Sequence, residues 1–254
     1  MKKAIFAAAL AAVSMAATAA SSVNLVGAAT MIGSDIQLVS KGGSAGAAWL
    51  LTPVSTTKSF SMDFAFSLKN NGYSPMADGI SLAMQDIGTH ALGYAGGNVG
   101  YTNLKAVGSV IQTYTNNTAG LNTDGNAYHT KAAPVSMGYA NLVTGTEHVT
   151  YNADTNLLEM TGTLDLDGSI HTISDSKSVD LYFRFGDTVT MGFTGATGSS
   201  WADERITSYQ VQTATAQPAD ETPAVQAVPE PETYALMLAG LGALGVVARR
   251  RKSL

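Results

Sequence analysis

The stretch that most constrains the fold is SFSMDFAFSL, residues 59–68, in which large apolar side chains occupy every second position. Because successive side chains of a β-strand point to opposite faces, this spacing places all the large groups on one face. It does not fit a helix, whose faces repeat about every 3.6 residues. The stretch therefore predicts a long strand with one face in a core. The alternating large side chains are Phe60, Met62, Phe64, Phe66 and Leu68.

The same two-residue period recurs later in the chain. In LYFRF, Leu181, Phe183 and Phe185 would share one face of a strand. VTYNADTNLLEMTG, residues 149–162, consists of two strand-like runs joined by a turn-rich centre, which is typical of a β-hairpin. No amphipathic helix of ten residues occurs before Gln217. We therefore predict an all-β domain, an antiparallel sandwich.

Composition excludes several kinds of chemistry. The chain has 254 residues and no cysteine, so thiol nucleophiles, cysteine zinc sites and iron–sulfur clusters are excluded. A core of roughly 200 residues does not need disulfides for stability, even in an exported protein. The four histidines show no HxxH or HExxH spacing, which argues against a common type of zinc enzyme.

Charge is distributed unevenly along the chain. Six of the fourteen basic residues lie at the two ends, and residues 20–227 carry eight basic against seventeen acidic side chains. Such a surface repels phosphate backbones, so we expect no nucleic-acid partner.

The N-terminus has the pattern of an export signal. MKKAIFAAALAAVSMAATAA, residues 1–20, has a basic start, a short apolar stretch and small residues at its end. This pattern predicts a secretory signal peptide that is cleaved after Ala19 or Ala20. The apolar stretch is short for the alternative, a retained membrane helix.

The C-terminus has a different pattern. VPEPETYALMLAGLGALGVVARRRKSL, residues 228–254, combines a Pro-Glu-Pro motif, fifteen uncharged residues at 234–248 and a basic cluster. The uncharged stretch predicts a hydrophobic helix, short for a hydrocarbon layer of ~30 Å. Residues 214–227 before it are polar and lack periodicity, which indicates a linker.

This terminal segment resembles the PEP-CTERM sorting signal of Gram-negative bacteria in its motif, apolar span and basic tail. The resemblance implies export, recognition by an exosortase, and delivery to the cell surface or extracellular matrix. It also implies contact with the membrane through this segment before processing.

Six stretches between the two ends, taken in order, resemble the L-type lectins, which include the legume lectins. The resemblance covers about residues 22–213 and implies a concanavalin-like jelly roll, which we assign to residues 21–213. The stretches are GSAGAAWLLTPVSTTKSFSMDFAFSL (43–68), ADGISLAM (77–84), GGNVGYTN (96–103), VIQTYTNN (110–117), VTYNADTNLLEM (149–160) and VTMGFTGATGSSWADERITSY (189–209).

The resemblance implies a sugar site built from several loops. Asp78 would accept hydrogen bonds from sugar hydroxyls, and the bond before it would be a cis peptide. Gly97 would offer its backbone N–H where a side chain would block approach. Asn116 would donate its amide to a sugar oxygen. In a variable loop at residues 198–204, Ser199 and Ser200 would contact sugar, and Trp201 would stack on a sugar face.

The family's metal-binding pattern is altered in this chain. Relatives that bind two metals carry Glu-x-Asp where this sequence has Val110 and Gln112. A valine offers no ligand, so the transition-metal site is expected to be lost, although His129 could match the family histidine. Calcium affinity rises with ligand charge, so we expect weak calcium binding at best. The implied calcium ligands are Gln112, the Tyr114 carbonyl, Asn116 and Asp124.

Three functions remain open at this point. Glycan or exopolysaccharide binding at a weakened metal site is the main hypothesis, and a surface or matrix protein that binds no sugar is the alternative. A glycoside hydrolase would need two carboxylates about 5–10 Å apart. Asp165 and Asp167 could supply them, but acids before a glycine are typical of a turn. No Glu-x-Asp-x-Glu run occurs, so we predict no enzyme.

Overall fold

The computed structural model describes residues 22–213, which belong to one compact unit. The predicted signal peptide, linker and C-terminal hydrophobic helix lie outside these residues. Within residues 22–213 there is no helix long and apolar enough to cross a membrane.

The described chain is built mainly of strands. They are β1 Val23–Gly27, β2 Thr30–Ile32, β3 Asp35–Val39, β4 Ala45–Leu50, β5 Val54–Ser55, β6 Phe60–Asn70, β7 Gly79–Gln85, β8 Val107–Gln112, β9 Thr118–Asn122, β10 Leu142–Asn152, β11 Leu157–Leu166, β12 Ser169–Ser178, β13 Thr188–Ala196 and β14 Ala202–Thr213. One short helix, α1, spans Leu181–Phe185, and 3₁₀ turns span Gly96–Asn98 and Ala127–His129.

The strands form two antiparallel sheets that pack face to face. The front sheet has the order β1-β4-β13-β7-β8-β9, with β5 paired to the start of β13. The back sheet has the order β12-β11-β10-β6-β14-β3-β2. The predicted antiparallel sandwich is thus confirmed.

The alternating stretch at residues 59–68 becomes β6, in the back sheet. Its five large side chains are at most 5 % exposed and form part of the main core. The Phe64 ring lies 5.2 Å from the ring of Phe193 on β13, so the two sheets touch here. The strand and its buried face are as predicted.

The predicted hairpin is also present, as β10 and β11. Asn152 pairs with Leu157 at the end of the ladder. Between them the Asn152 side chain accepts hydrogen bonds from the N–H groups of Asp154 and Thr155, at 3.0 and 3.2 Å. A side-chain oxygen that accepts from the next residues stabilises a tight turn.

The prediction of a strand at LYFRF is wrong, because these residues form α1. The Asp180 carboxylate accepts a hydrogen bond from the Phe183 N–H at 2.8 Å and so caps the first turn. Gly186, with φ of 78°, ends it. Leu181 is buried, but Phe183 is 90 % exposed, so the three apolar side chains do not share a buried face.

Candidate functional site

A cavity of about 360 Å³ opens beside the ends of adjacent front-sheet strands. β7 begins at Gly79, which pairs with Gln112 at the end of β8 and with Ala196 at the end of β13. The chain segments beyond these three strand ends therefore meet at one edge of the sheet. The cavity is lined by Ala77, Asp78, Gly96, Gly97, Gln112, Tyr114, Thr115, Asn116, Tyr128, Gly198, Ser199 and Ser200.

The structure places five of the six predicted sugar contacts around this cavity: Asp78, Gly97, Asn116, Ser199 and Ser200. They come from four separate chain segments. After Gly97 the chain continues in turns to Lys105, and the next strand starts only at Val107.

Asp78 is the acid of the cavity. The Ala77–Asp78 peptide is cis, as the resemblance implied. The residue is 4 % exposed, and its Oδ2 has no hydrogen-bond partner among residues 22–213. Burial raises the pKa of Asp78 to about 6, and a hydrogen bond from the backbone of Gly198 partly offsets the rise. Asp78 is thus a poorly solvated acid in the cavity lining, with one buried carboxylate oxygen unpaired.

Glu204 supports the Asp78 backbone from the opposite sheet. This residue of β14 is fully buried, and its Oε1 accepts hydrogen bonds from the N–H groups of Asp78 and Gly79 at 3.1 and 2.9 Å. Its Oε2 has no partner in the described part of the chain. Burial raises the pKa of Glu204 well above its usual range, and the nearby Asp78 charge adds to the rise.

This role of Glu204 is not predicted by any of the motifs in the sequence. The signal was the alternation of Ala202, Glu204 and Ile206 on the buried face of one strand. A carboxylate at a core position is rare and needs hydrogen-bond partners, so that pattern could have indicated a supporting acid.

Gln112 is buried beside the cavity, with 1 % of its surface exposed. Its amide nitrogen donates a hydrogen bond to the Gly97 carbonyl. Its Oε1 accepts one from the Thr118 hydroxyl at 2.9 Å. Both ends of the amide are therefore engaged within the protein.

The aromatic groups at the cavity are Tyr114 and Tyr128, which are 39 % and 47 % exposed. Trp201 lies outside the lining set, and its indole N–H donates a hydrogen bond to the Tyr73 hydroxyl at 2.9 Å. This placement does not support the stacking role expected for Trp201, because the ring packs against Tyr73 at 5.9 Å between centroids.

The residues implied as calcium ligands do not fit a calcium cage. Calcium takes six to eight oxygen ligands. Only the oxygen of the Gln112 amide could bind calcium, and this oxygen already accepts a hydrogen bond from the Thr118 hydroxyl. The Asp124 carboxylate lies 2.6 Å from His129 Nδ1, accepts the Asn126 N–H at 2.9 Å and lies outside the cavity lining. Over residues 22–213 there is no cluster of three or more His, Cys, Asp or Glu side chains suited to a metal ion.

Asp165 and Asp167 have structural roles at the turn after β11. The Asp167 carboxylate accepts hydrogen bonds from the N–H groups of Asn141 and Leu142 at 2.9 and 3.0 Å. Asp165 accepts from the Gly168 N–H at 2.7 Å. Neither acid lines the cavity that contains Asp78.

Comparison with known structures identifies the fold. Peanut lectin is 24 % identical over 76 % of this chain and 93 % of its own, with a TM-score of 0.63. Arcelin-5, a lectin-like defense protein from Phaseolus vulgaris, is 18 % identical over 76 % and 92 %, with a TM-score of 0.64. The fold is that of the legume lectins. The lectin from Bauhinia forficata, solved in complex with GalNAc, shares this lectin fold at 21 % identity over 76 % and 93 %, with a TM-score of 0.62.

The C-terminus matches a separate family. Residues 227–252 match the PEP-CTERM protein-sorting motif, which confirms the prediction for that segment. The motif indicates an exported protein that is sorted to the cell surface. The chain thus joins a lectin-fold domain to a sorting signal.

Proposed function

We propose that the lectin-fold domain binds a neutral glycan in the cavity that Asp78 lines. The observation that carries the proposal is the convergence of Asp78, Gly97, Asn116, Ser199 and Ser200 from four chain segments around one cavity. The partly exposed Tyr114 ring at the same cavity offers an apolar surface.

The donor and acceptor pattern suits sugar hydroxyls, which both donate and accept. The Asp78 carboxylate can accept, while the Asn116 amide and the serine hydroxyls can do either. Asp78 is the one charged side chain among the lining residues that the structure describes. An acidic sugar would meet this carboxylate without a compensating cation, so a neutral glycan fits better.

The cavity favours binding over hydrolysis. Glycoside hydrolysis commonly uses two carboxylates that flank the scissile bond. The described cavity offers Asp78 alone, since the Glu204 carboxylate is fully buried and bound to the backbone. GalNAc in the Bauhinia forficata lectin is a neutral sugar held by a protein of the same fold.

The sorting motif indicates where in the cell the proposed glycan binding would take place. A protein with this C-terminus would be recognised by an exosortase after export and would contact the membrane through residues 228–254 until processing. Its glycan would then be one that the cell surface or matrix displays, such as an exopolysaccharide.

The proposal is tested with the purified protein on a glycan array and against exopolysaccharide from the native host. Once a ligand is found, calorimetry should show that Asp78→Ala weakens binding about tenfold or more, because a hydrogen bond to a charged group contributes about 1.5–3 kcal/mol. Asn116→Ala should also weaken it. Asp165→Ala is the matched control and should bind as the wild type does.

Two results would contradict glycan binding at this cavity. Unchanged affinity in Asp78→Ala would place the ligand on another surface. Failure of the folded wild-type protein to bind any array glycan or the host polysaccharide would favour a surface or matrix protein that binds no sugar.

A further inference from the structure

We infer that the Gln112 amide fixes the Gly97 turn in its binding shape without a metal ion, so that glycan binding at this cavity needs no calcium. The inference rests on the proposed function for its second half. Its first half concerns only the protein and can be tested without a ligand.

Gln112 lies where three segments meet. As the last residue of β8 it pairs with Gly79 of β7 on one side and with Thr118 of β9 on the other. Its side chain then bonds to the Gly97 carbonyl and to the Thr118 hydroxyl. The Gly96–Asn98 turn is thereby tied to the β8–β9 ladder by a buried side chain.

Other ties also hold the turn to the sheet: Thr194 of β13 donates a hydrogen bond from its hydroxyl to the carbonyl of the buried Val99, which follows the turn, at 2.7 Å. The Gly96 N–H donates to the Thr197 carbonyl at 3.1 Å, and the Val99 N–H closes the turn on the Gly96 carbonyl at 2.9 Å. Among the described residues, it is the Gln112 side chain that hydrogen-bonds to the Gly97 backbone. Because Gly97 lines the cavity, the position of this turn sets the shape of the cavity wall.

An amide suits this position and a carboxylate does not. The Gly97 carbonyl can only accept, so the Gln112 group that faces it must be the NH₂, which also fixes the orientation of the amide. An NH₂ group offers no lone pair to calcium, and Thr118 binds the amide oxygen. A carboxylate here would place a second acceptor against the Gly97 carbonyl.

The calcium part is tested on the wild-type protein alone. Its melting temperature should be the same in about 1 mM calcium and in excess chelator, because a site much weaker than millimolar adds no measurable stability. Calorimetric titration with calcium chloride should give no binding heat. A calcium-dependent rise in melting temperature, or loss of glycan binding in chelator, would overturn the inference.

The amide part is tested with Gln112→Glu, which keeps the size and removes the donor. Hydrogen exchange at residues 97–99 should quicken about tenfold or more, since the turn loses its tie to β8. Gln85→Leu is the matched control: Gln85 is equally buried at the other end of β7 and bonds to the Ile87 and Gly88 backbone. It should leave exchange at residues 97–99 unchanged.

A milder variant covers the case in which Gln112→Glu does not fold. Thr118→Val removes only the hydroxyl that holds the Gln112 oxygen, and should quicken the same exchange by a smaller factor. Unchanged exchange in a folded Gln112→Glu or Thr118→Val protein would show that the amide does not fix the turn. If exchange responds as expected and no glycan binds, the proposed function fails while the role of Gln112 stands.

Discussion

Glu204 Oε1 lies 3.1 Å from the backbone nitrogen of Asp78, although the two residues belong to opposite sides of the sandwich. Glu204 is in β14 of the back sheet, and Asp78 immediately precedes β7 of the front sheet. The same oxygen accepts the Gly79 N–H at 2.9 Å. A core carboxylate therefore fixes the backbone from which the cavity acid projects.

Replacing Glu204 should affect both stability and binding. Glu204→Leu would leave the buried N–H groups of Asp78 and Gly79 without this acceptor, which should lower the free energy of unfolding by about 1–3 kcal/mol. It should also weaken glycan binding, because the Asp78 backbone would be left with its bonds to the Ala196 carbonyl and the Thr113 N–H, at 3.3 and 2.9 Å. Glu204→Gln keeps an acceptor and should lose less of both.

Urea unfolding and calorimetry on the two variants measure these effects. A Glu204→Leu protein that folds and binds with wild-type affinity would show that Asp78 does not depend on Glu204.

Stability should depend on pH through Glu147, a second buried acid between the sheets. Ser109 of β8 donates a hydrogen bond to its Oε2 at 2.5 Å, and burial raises its pKa from 4.5 to about 7. Between these values the unfolded chain has lost the proton while the folded protein keeps it. The free energy of unfolding should therefore fall as pH rises through this window, by roughly 2–3 kcal/mol for this group.

Glu147→Gln isolates this contribution, because an amide can still accept from Ser109 and does not titrate. Urea unfolding at several pH values from 4.5 to about 7 should give a flatter profile for the variant than for the wild type. The slope that remains should have the same sign, since the pKa values of Asp78 and Glu204 are also raised. Parallel profiles would contradict the assignment.

A side chain at position 97 should obstruct the cavity. A Cβ added to Gly97 would lie 2.7 Å from the Tyr128 hydroxyl and 3.3 Å from its ring. The Tyr128 ring is partly exposed and can shift, so Gly97→Ala should change stability little. Glycan affinity should fall about tenfold, a loss of about 1.4 kcal/mol.

If the clash with Tyr128 causes the loss of affinity, the effects of Gly97→Ala and Tyr128→Phe on glycan affinity should not be additive. Tyr128→Phe removes the nearest clashing atom, so Gly97→Ala should cost less affinity in that background, which calorimetry on the double variant can measure. An equal cost in both backgrounds would mean that the two residues do not interfere.

Export should remove the predicted signal peptide from the N-terminus. Protein from the envelope or medium of the native host should lack residues 1–19 or 1–20, because cleavage follows the small residues that end the signal peptide. Intact-mass analysis of the fractions measures this directly. A cytosolic protein that begins at Met1 would contradict it.

The sequence predicts those parts of the fold in which a local pattern is long enough to be unambiguous. β6 presents five alternating large side chains, and no competing period fits them. LYFRF is too short to distinguish the two periods, and the cap from Asp180 favours a helical turn that alternation alone cannot show. No local pattern predicts the order of the strands, since it depends on pairings between distant residues.

The candidate site likewise has parts that the sequence predicts and parts that it does not. Motif order brings Asp78, Gly97 and Asn116 together, but it carries no information on side-chain direction, such as that of Trp201, whose indole N–H donates to the Tyr73 hydroxyl. The contact of Glu204 with Asp78 joins residues 126 positions apart across the core. Such a contact depends on the register of both sheets, which no local stretch specifies.

The place of β14 in the back sheet has a mechanical consequence. This last described strand lies between β6 and β3 and is paired with β6 along its length, from Ala202 to Thr213. A pull applied through the chain after Thr213 would load β14 first. Because ladder hydrogen bonds run across the strands, many would share that load at once in shear instead of peeling one by one. Because Glu204 lies on β14, a load on this strand would reach the backbone of Asp78 through the hydrogen bonds that Glu204 accepts.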